Sequence, residues 1–216
     1  MYNFLFYFLL FFVYAVIGFI VEVTYVYIGN KKLVNRGFLI GPYIPIYGFS
    51  AVIMVLYLTQ YRDNPLTVFL LAIVVCSIME YAVSFIMEKL FNARWWDYSN
   101  YKFNINGRVC LLNSILFGIL SILLVYFINP VIMGGLEKIN HTLLIIISII
   151  CLVIFVTDSV ISFVITFNIR DKINSFDVDA TTEIRNLINS KLKGKYFHKR
   201  VFNAFPKIEF FKKVKK

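Results

Sequence analysis

Residues 109–136, Val109-Cys110-Leu111-Leu112-Asn113-Ser114-Ile115-Leu116-Phe117-Gly118-Ile119-Leu120-Ser121-Ile122-Leu123-Leu124 and on through Val125-Tyr126-Phe127-Ile128-Asn129-Pro130 to Leu136, carry no charged side chain. About 20 apolar residues suffice to cross a hydrocarbon layer ~30 Å thick. The neighbouring sequence repeats the pattern, since residues 1–21 and 37–61 are charge-free as well. The chain is 60% hydrophobic and 16% charged, whereas a soluble domain sits near a quarter charged. Five spans fit at roughly 4–28, 44–61, 65–90, 109–134 and 142–168. The first is expected to be a retained span rather than a cleaved leader, because no basic residue precedes it and no small-residue cleavage site follows it. The expected fold is an all-α integral membrane bundle over 1–168, followed by a short basic amphipathic tail over 169–216.

Charge sets the expected orientation. Of the 22 lysines and arginines, 20 lie in the connections after spans 1 and 3 and in the tail, and only Arg62 and Lys138 lie on the other side. Positive residues stay inside, so the N-terminus is expected outside and the C-terminus in the cytoplasm. An odd number of spans puts the two termini on opposite sides, in agreement with this.

Immediately before the opening run stands the most polar piece of the first 167 residues, Arg94-Trp95-Trp96-Asp97-Tyr98-Ser99, continuing through Phe103-Asn104-Ile105-Asn106-Gly107-Arg108. The aromatic residues suit the membrane–water boundary. Asp97 can pair with one arginine and leave the other to hold a phosphate or carboxylate, while Asn104, Asn106 and Gly107 supply a tight turn and amide donors. The connection after span 1 is unusual in another way. Asn35-Arg36-Gly37-Phe38-Leu39-Ile40-Gly41-Pro42-Tyr43-Ile44-Pro45-Ile46-Tyr47-Gly48 is apolar yet rich in glycine and proline. Such a segment either re-enters the membrane as broken structure lining protein, or simply opens span 2 with its prolines.

Acids inside the spans are costly, by about 2.5–3.5 kcal/mol on insertion scales when they face lipid. Ser77, Glu80, Ser84 and Glu88 fall on one face of span 3. Glu22 and Asp158 join them in the cytoplasmic halves of their spans, and Arg36, Arg94 and Arg108 lie at or just below that depth. An inward-facing polar pocket near the cytoplasmic leaflet accounts for these residues, and a buried ion-pair network that fixes packing is the alternative. The residues expected to contact a substrate are Glu22, Arg36, Glu80, Glu88, Arg94, Asp97, Asn104, Asn106, Arg108 and Asp158.

No P-loop, HExxH, GxSxG or GxGxxG pattern occurs, and Cys76, Cys110 and Cys151 form no CxxC pair. No cofactor, bound metal or disulfide framework is expected, and no set of catalytic residues stands out. The tail carries thirteen basic and five acidic residues. Asp179 suits the N-cap of a short helix with Ile184, Leu187, Ile188 and Leu192 on its apolar face, and Phe197, Val201 and Phe205 repeat every fourth residue among the cations. Beside a membrane this pattern points to anionic lipid headgroups rather than nucleic acid.

On the motif 36–48 together with Arg94-Trp95-Trp96-Asp97-Tyr98-Ser99 and Asn104-Ile105-Asn106-Gly107-Arg108-Val109-Cys110-Leu111, the chain resembles the ABC-transporter permease family labelled type IV. These are small multi-span proteins found mainly in Gram-positive bacteria. The resemblance covers about residues 1–135. It implies a bacterial plasma-membrane location and a transport role, with a separate ATPase subunit as partner. Three functions compete on the residues themselves: a transporter component, an intramembrane enzyme acting on a lipid or lipid-linked substrate with Glu80 or Asp158 as base, and a non-catalytic scaffold or sensor working through its tail.

Overall fold

In the computed structural model, which describes residues 2–31, 33–175, 200–201, 204–205 and 208–210, the five apolar runs are helices. They are α1 (Tyr2–Asn30), α2 (Pro45–Leu58, ending in a 3-10 turn at Thr59–Tyr61), α3 (Pro65–Phe91), α4 (Leu111–Leu123) continued by α5 (Asn129–Glu137), and α6 (His141–Ser175). α1, α3, the α4–α5 rod and α6 are each long and apolar enough to cross a membrane, and Pro45–Tyr61 is a shorter apolar helix. This is the all-α membrane bundle expected from the sequence. Two-residue strands β1 (Ala93–Arg94), β2 (Asn104–Ile105), β3 (Val109–Cys110) and β4 (Glu209–Phe210) pair antiparallel, β1 with β4 and β2 with β3. The Asp179 helix of the tail lies outside the described residues.

Local chemistry sets the helix ends. Asn64 caps α3 by accepting the Thr67 amide at 3.1 Å, and Pro65 fills the first turn, where no N–H is needed. Asn92 closes α3 in the left-handed region at φ 50°, a common helix stop. Between α4 and α5 the helix widens into a π turn at Leu124–Ile128. Pro130 lacks an N–H and its ring crowds the carbonyl four residues back, and a wider turn relieves both problems. At its end Asn129 receives the buried Tyr14 hydroxyl at 2.7 Å, which ties α5 to α1.

The core of the bundle joins Leu10 and Tyr14 of α1, Ala51 and Met54 of α2, Val68 and Ala72 of α3, and Val125 of the π turn. Large apolar side chains such as Ile78, Val131 and Val153 remain exposed on the outer faces, as a lipid-facing surface requires. Gly18 lies so close to Tyr47 that an added Cβ would overlap its ring, and this lets α1 and α2 approach closely.

The segment between α1 and α2 turns back into the bundle. Its Ile44 amide donates to the Ala15 carbonyl at 2.9 Å, and Ala15 stands fifteen residues before the end of α1, about 20 Å at helical rise. Asn35 shapes the entry, accepting the Gly37 amide at 2.9 Å and donating to the Ile40 carbonyl at 3.1 Å. Residues 35–44 are broken backbone that re-enters the bundle, packed on α1 and α6, and Pro45 opens a shortened α2.

At that same end of the bundle the described C-terminal residues fold back on the protein. β4 pairs with β1, the Arg200 guanidinium donates to the Gly37 and Leu39 carbonyls, and Val201 and Ile208 bury against Phe91, Ala93 and Trp95. Trp95 sits in a ring cluster with Phe38, Phe91 and Phe205. At the opposite end the Tyr126 hydroxyl donates to the Arg62 carbonyl, joining the α2–α3 connection to the π turn.

Candidate functional site

The polar face of α3 points inward, and each member has a partner. Ser77 meets Ser114 of α4 at 2.8 Å, Glu80 accepts the Tyr98 hydroxyl at 3.1 Å, and Ser84 accepts from Arg108 at 3.2 Å. Glu88 accepts from Arg94 at 3.3 Å and from Arg108 at 3.0 Å. A stripe of this spacing on one helix face needs a single polar neighbour along its length, and the 94–108 connection is that neighbour for its C-terminal half.

The connection holds its shape through a hairpin. Asn106 (φ 52°) and Gly107 (φ 66°) make the left-handed pair of a type I′ turn, closed by the Arg108 amide on the Ile105 carbonyl at 3.0 Å. An added Cβ at Gly107 would overlap the Asp97 carboxylate and the Ser99 hydroxyl, so only glycine meets both the dihedral and the space. Asn104 accepts the Gly107 amide at 3.0 Å and donates to the Tyr101 carbonyl at 2.8 Å, while Asn106 donates to the Tyr81 hydroxyl at 2.9 Å. Tyr98 donates its amide to the Gly107 carbonyl at 2.7 Å, which aims its ring into the bundle. Burial, and then the Glu80 charge, push the Tyr98 phenol well above its ordinary range.

Glu88 occupies the position that sequence reasoning left open. Rather than one arginine being paired and one spare, both guanidiniums are held on Glu88, and Arg94 also reaches Asp97 at 3.6 Å. Arg108 is buried and stacks over Tyr81 and Phe85. The Ser99 hydroxyl, at 2.6 Å, holds the Asp97 carboxyl below the usual carboxylate range, with the Ser99 amide and Arg94 adding to it. Asp97 thus orients both the turn and Arg94.

Two hydrogen-bonded pairs, Glu22 with Tyr47 and Glu80 with Tyr98, draw on α1, α2, α3 and the hairpin connection and lie within electrostatic reach of each other. Tyr47 donates to Glu22 at 2.9 Å, and Arg36 lies 3.8 Å from the other Glu22 oxygen. Tyr47 and Tyr98 each feel the charges of both Glu22 and Glu80. Glu80 is 5% exposed, and its Oε2 has no hydrogen-bond partner among the described residues. In chemical terms the centre offers two carboxylates and two phenol oxygens, with one guanidinium at its edge.

Asp158 does not join this group. It receives the Ile40 amide at 2.9 Å, the Gly41 amide at 2.7 Å, the Tyr43 hydroxyl at 2.6 Å and the Ser162 hydroxyl at 3.0 Å. Those four donors saturate it and fix the re-entrant segment on α6. The ten residues proposed from sequence therefore fall into three sets: Glu22, Arg36 and Glu80; Glu88, Arg94, Asp97, Asn104, Asn106 and Arg108; and Asp158. Sequence reasoning missed the parts played by Tyr43 and Tyr47, whose signal is weak because tyrosine inside an apolar run reads as one more aromatic. No group of three or more His, Cys, Asp or Glu side chains suited to a metal occurs among the described residues.

No curated protein and no solved structure matches the chain. A family profile does match, and it reaches past the α4–α5 rod into α6, further than the motifs alone suggest. With residues 9–163 covered, the chain belongs to the family described as Putative ABC-transporter type IV.

Proposed function

We propose that this multi-pass membrane protein is the membrane-spanning component of a transporter, with its binding centre at Glu22, Tyr47, Glu80 and Tyr98. The observation that carries this reading is a buried carboxylate, Glu80, that takes the Tyr98 hydroxyl, has one oxygen left over among the described residues and lies within electrostatic reach of the Glu22–Tyr47 pair. Family membership supports it. So does the irregular backbone beside the centre, since broken segments inside a bundle accompany binding sites in transporters. The Lys/Arg distribution supports an N-terminus outside and a C-terminus in the cytoplasm of a bacterial plasma membrane. A separate ATPase would then meet the 89–108 connection, and the tail would meet anionic headgroups. The Arg94–Glu88–Arg108 set spends its guanidiniums on a protein carboxylate, which favours a framing role over phosphate capture for lipid chemistry.

The test is purification of the tagged chain from its own cells in mild detergent. A P-loop ATPase should co-purify at fixed stoichiometry and hydrolyse ATP faster in the complex than alone. Repeated preparations with no such subunit would overturn the transporter reading.

A further inference from the structure

We propose that Glu80, with Glu22, Tyr47 and Tyr98 around it, binds a small monovalent cation, either an alkali ion or a primary ammonium group. The inference rests on the reading of this polar centre as the binding site, and it names the class of ligand. Glu80 is buried within a span, one oxygen takes the Tyr98 hydroxyl, and the other has no partner among the described residues. No lysine or arginine among the described residues offsets it, because Arg36 lies on Glu22 while Arg94 and Arg108 lie on Glu88. An ionised carboxylate in low dielectric is unstable without a positive partner. The Tyr98 hydroxyl touches it and the hydrogen-bonded Glu22–Tyr47 pair lies within electrostatic reach, and these hard oxygens suit alkali ions and ammonium groups better than soft transition metals. Arg36 cancels one of the two negative charges, leaving one for a ligand of single positive charge.

The titratable groups around Glu80 are Glu22 from α1, Tyr47 from α2, Tyr98 from the connection with Cys110 beside it, and Cys76 one turn back on α3. α4 contributes only hydroxyl contact, through Ser114 on Ser77. A proton on Glu80 therefore competes directly with the cation.

The experiment is thermal unfolding of the full chain in detergent at pH 8, titrated with sodium, potassium or methylammonium chloride. N-methyl-D-glucamine chloride at equal ionic strength is the control. One of the three cations should raise Tm saturably, with a half-saturating concentration that changes little while Glu80 is ionised and grows toward about tenfold per pH unit once the pH falls far enough for the carboxyl to take up its proton. Glu80→Gln should abolish the response. If that variant does not fold, Tyr47→Phe, which keeps both carboxylates, should raise the half-saturating concentration several-fold. A wild type that answers all four chlorides alike, a response retained in Glu80→Gln, or an unchanged half-saturation in Tyr47→Phe each overturns the site. Co-purification of an ATPase is indifferent to these outcomes, so a lost cation site and a lost transporter reading are told apart.

Discussion

Asp158 and Glu80 are both acids buried inside apolar helices, at 8% and 5% exposure, yet their surroundings differ. Four donors meet Asp158, two of them backbone amides of the re-entrant segment. Among the described residues, a single hydroxyl meets Glu80. A carboxylate whose lone pairs are all taken is a fastening, because any ligand would have to displace the protein's own hydrogen bonds. A carboxylate with an empty oxygen has capacity to spare. The contrast shows that an acid's place in a span does not reveal its job, whereas the count of donors around it does.

The sharpest way to break this comparison is to remove each acid in turn. Asp158→Ala leaves two amides and the Tyr43 hydroxyl without an acceptor at membrane depth, and should destabilise the protein by about 3–5 kcal/mol. Unfolding in detergent measures this directly. Limited proteolysis should also show new cleavage between residues 35 and 44. Glu80→Gln, by contrast, should unfold within about 1 kcal/mol of the wild type, because a neutral isostere keeps the Tyr98 contact. Equal losses in the two variants would dissolve the distinction.

A smaller effect is expected at Gly107. Gly107→Ala demands a positive φ from a residue with a Cβ and pushes that Cβ into Asp97 and Ser99, for a loss of about 1–3 kcal/mol. Because Tyr98 hangs from the Gly107 carbonyl, this variant should also loosen the cover on Glu80. Faster quenching of Trp95 and Trp96 fluorescence would report the change, and an unaltered signal would separate hairpin from centre.

The smallest effect belongs to Asp97, which lies outside the spans. Its carboxyl is held below the ordinary value, chiefly by Ser99. Its contribution is therefore fully present above about pH 4 and fades as pH falls through the depressed folded value. Protease resistance of the 94–108 connection should stay level from pH 7 to pH 5 and decline only below about 4. Asp97→Asn should flatten that decline.

Much of this architecture is legible in the residues. Charge-free runs mark the helices, Asn64-Pro65 marks the start of α3, and Asn106-Gly107 marks the hairpin, because each rests on chemistry within a few residues. The inward polar face of α3 is legible for the same reason, as a matter of helical period. The sorting of acids between fastening and centre is not, since it depends on which backbone amides arrive from more than a hundred residues away. Trp95 shows the same limit. It reads as a lipid-interface anchor, and it is instead buried under Phe205 from the far end of the chain.

The π turn at Leu124–Ile128 constrains how this protein can vary. It accommodates one residue more than a regular helix would, and each residue advances a helix by about 100°. Rewinding those five as ordinary helix, or adding a sixth residue to them, would swing Asn129 around the axis, away from the Tyr14 hydroxyl that now holds it. Everything from Asn129 to Glu137 would turn with it, so the length of this rod is as much a part of its specification as the side chains it carries.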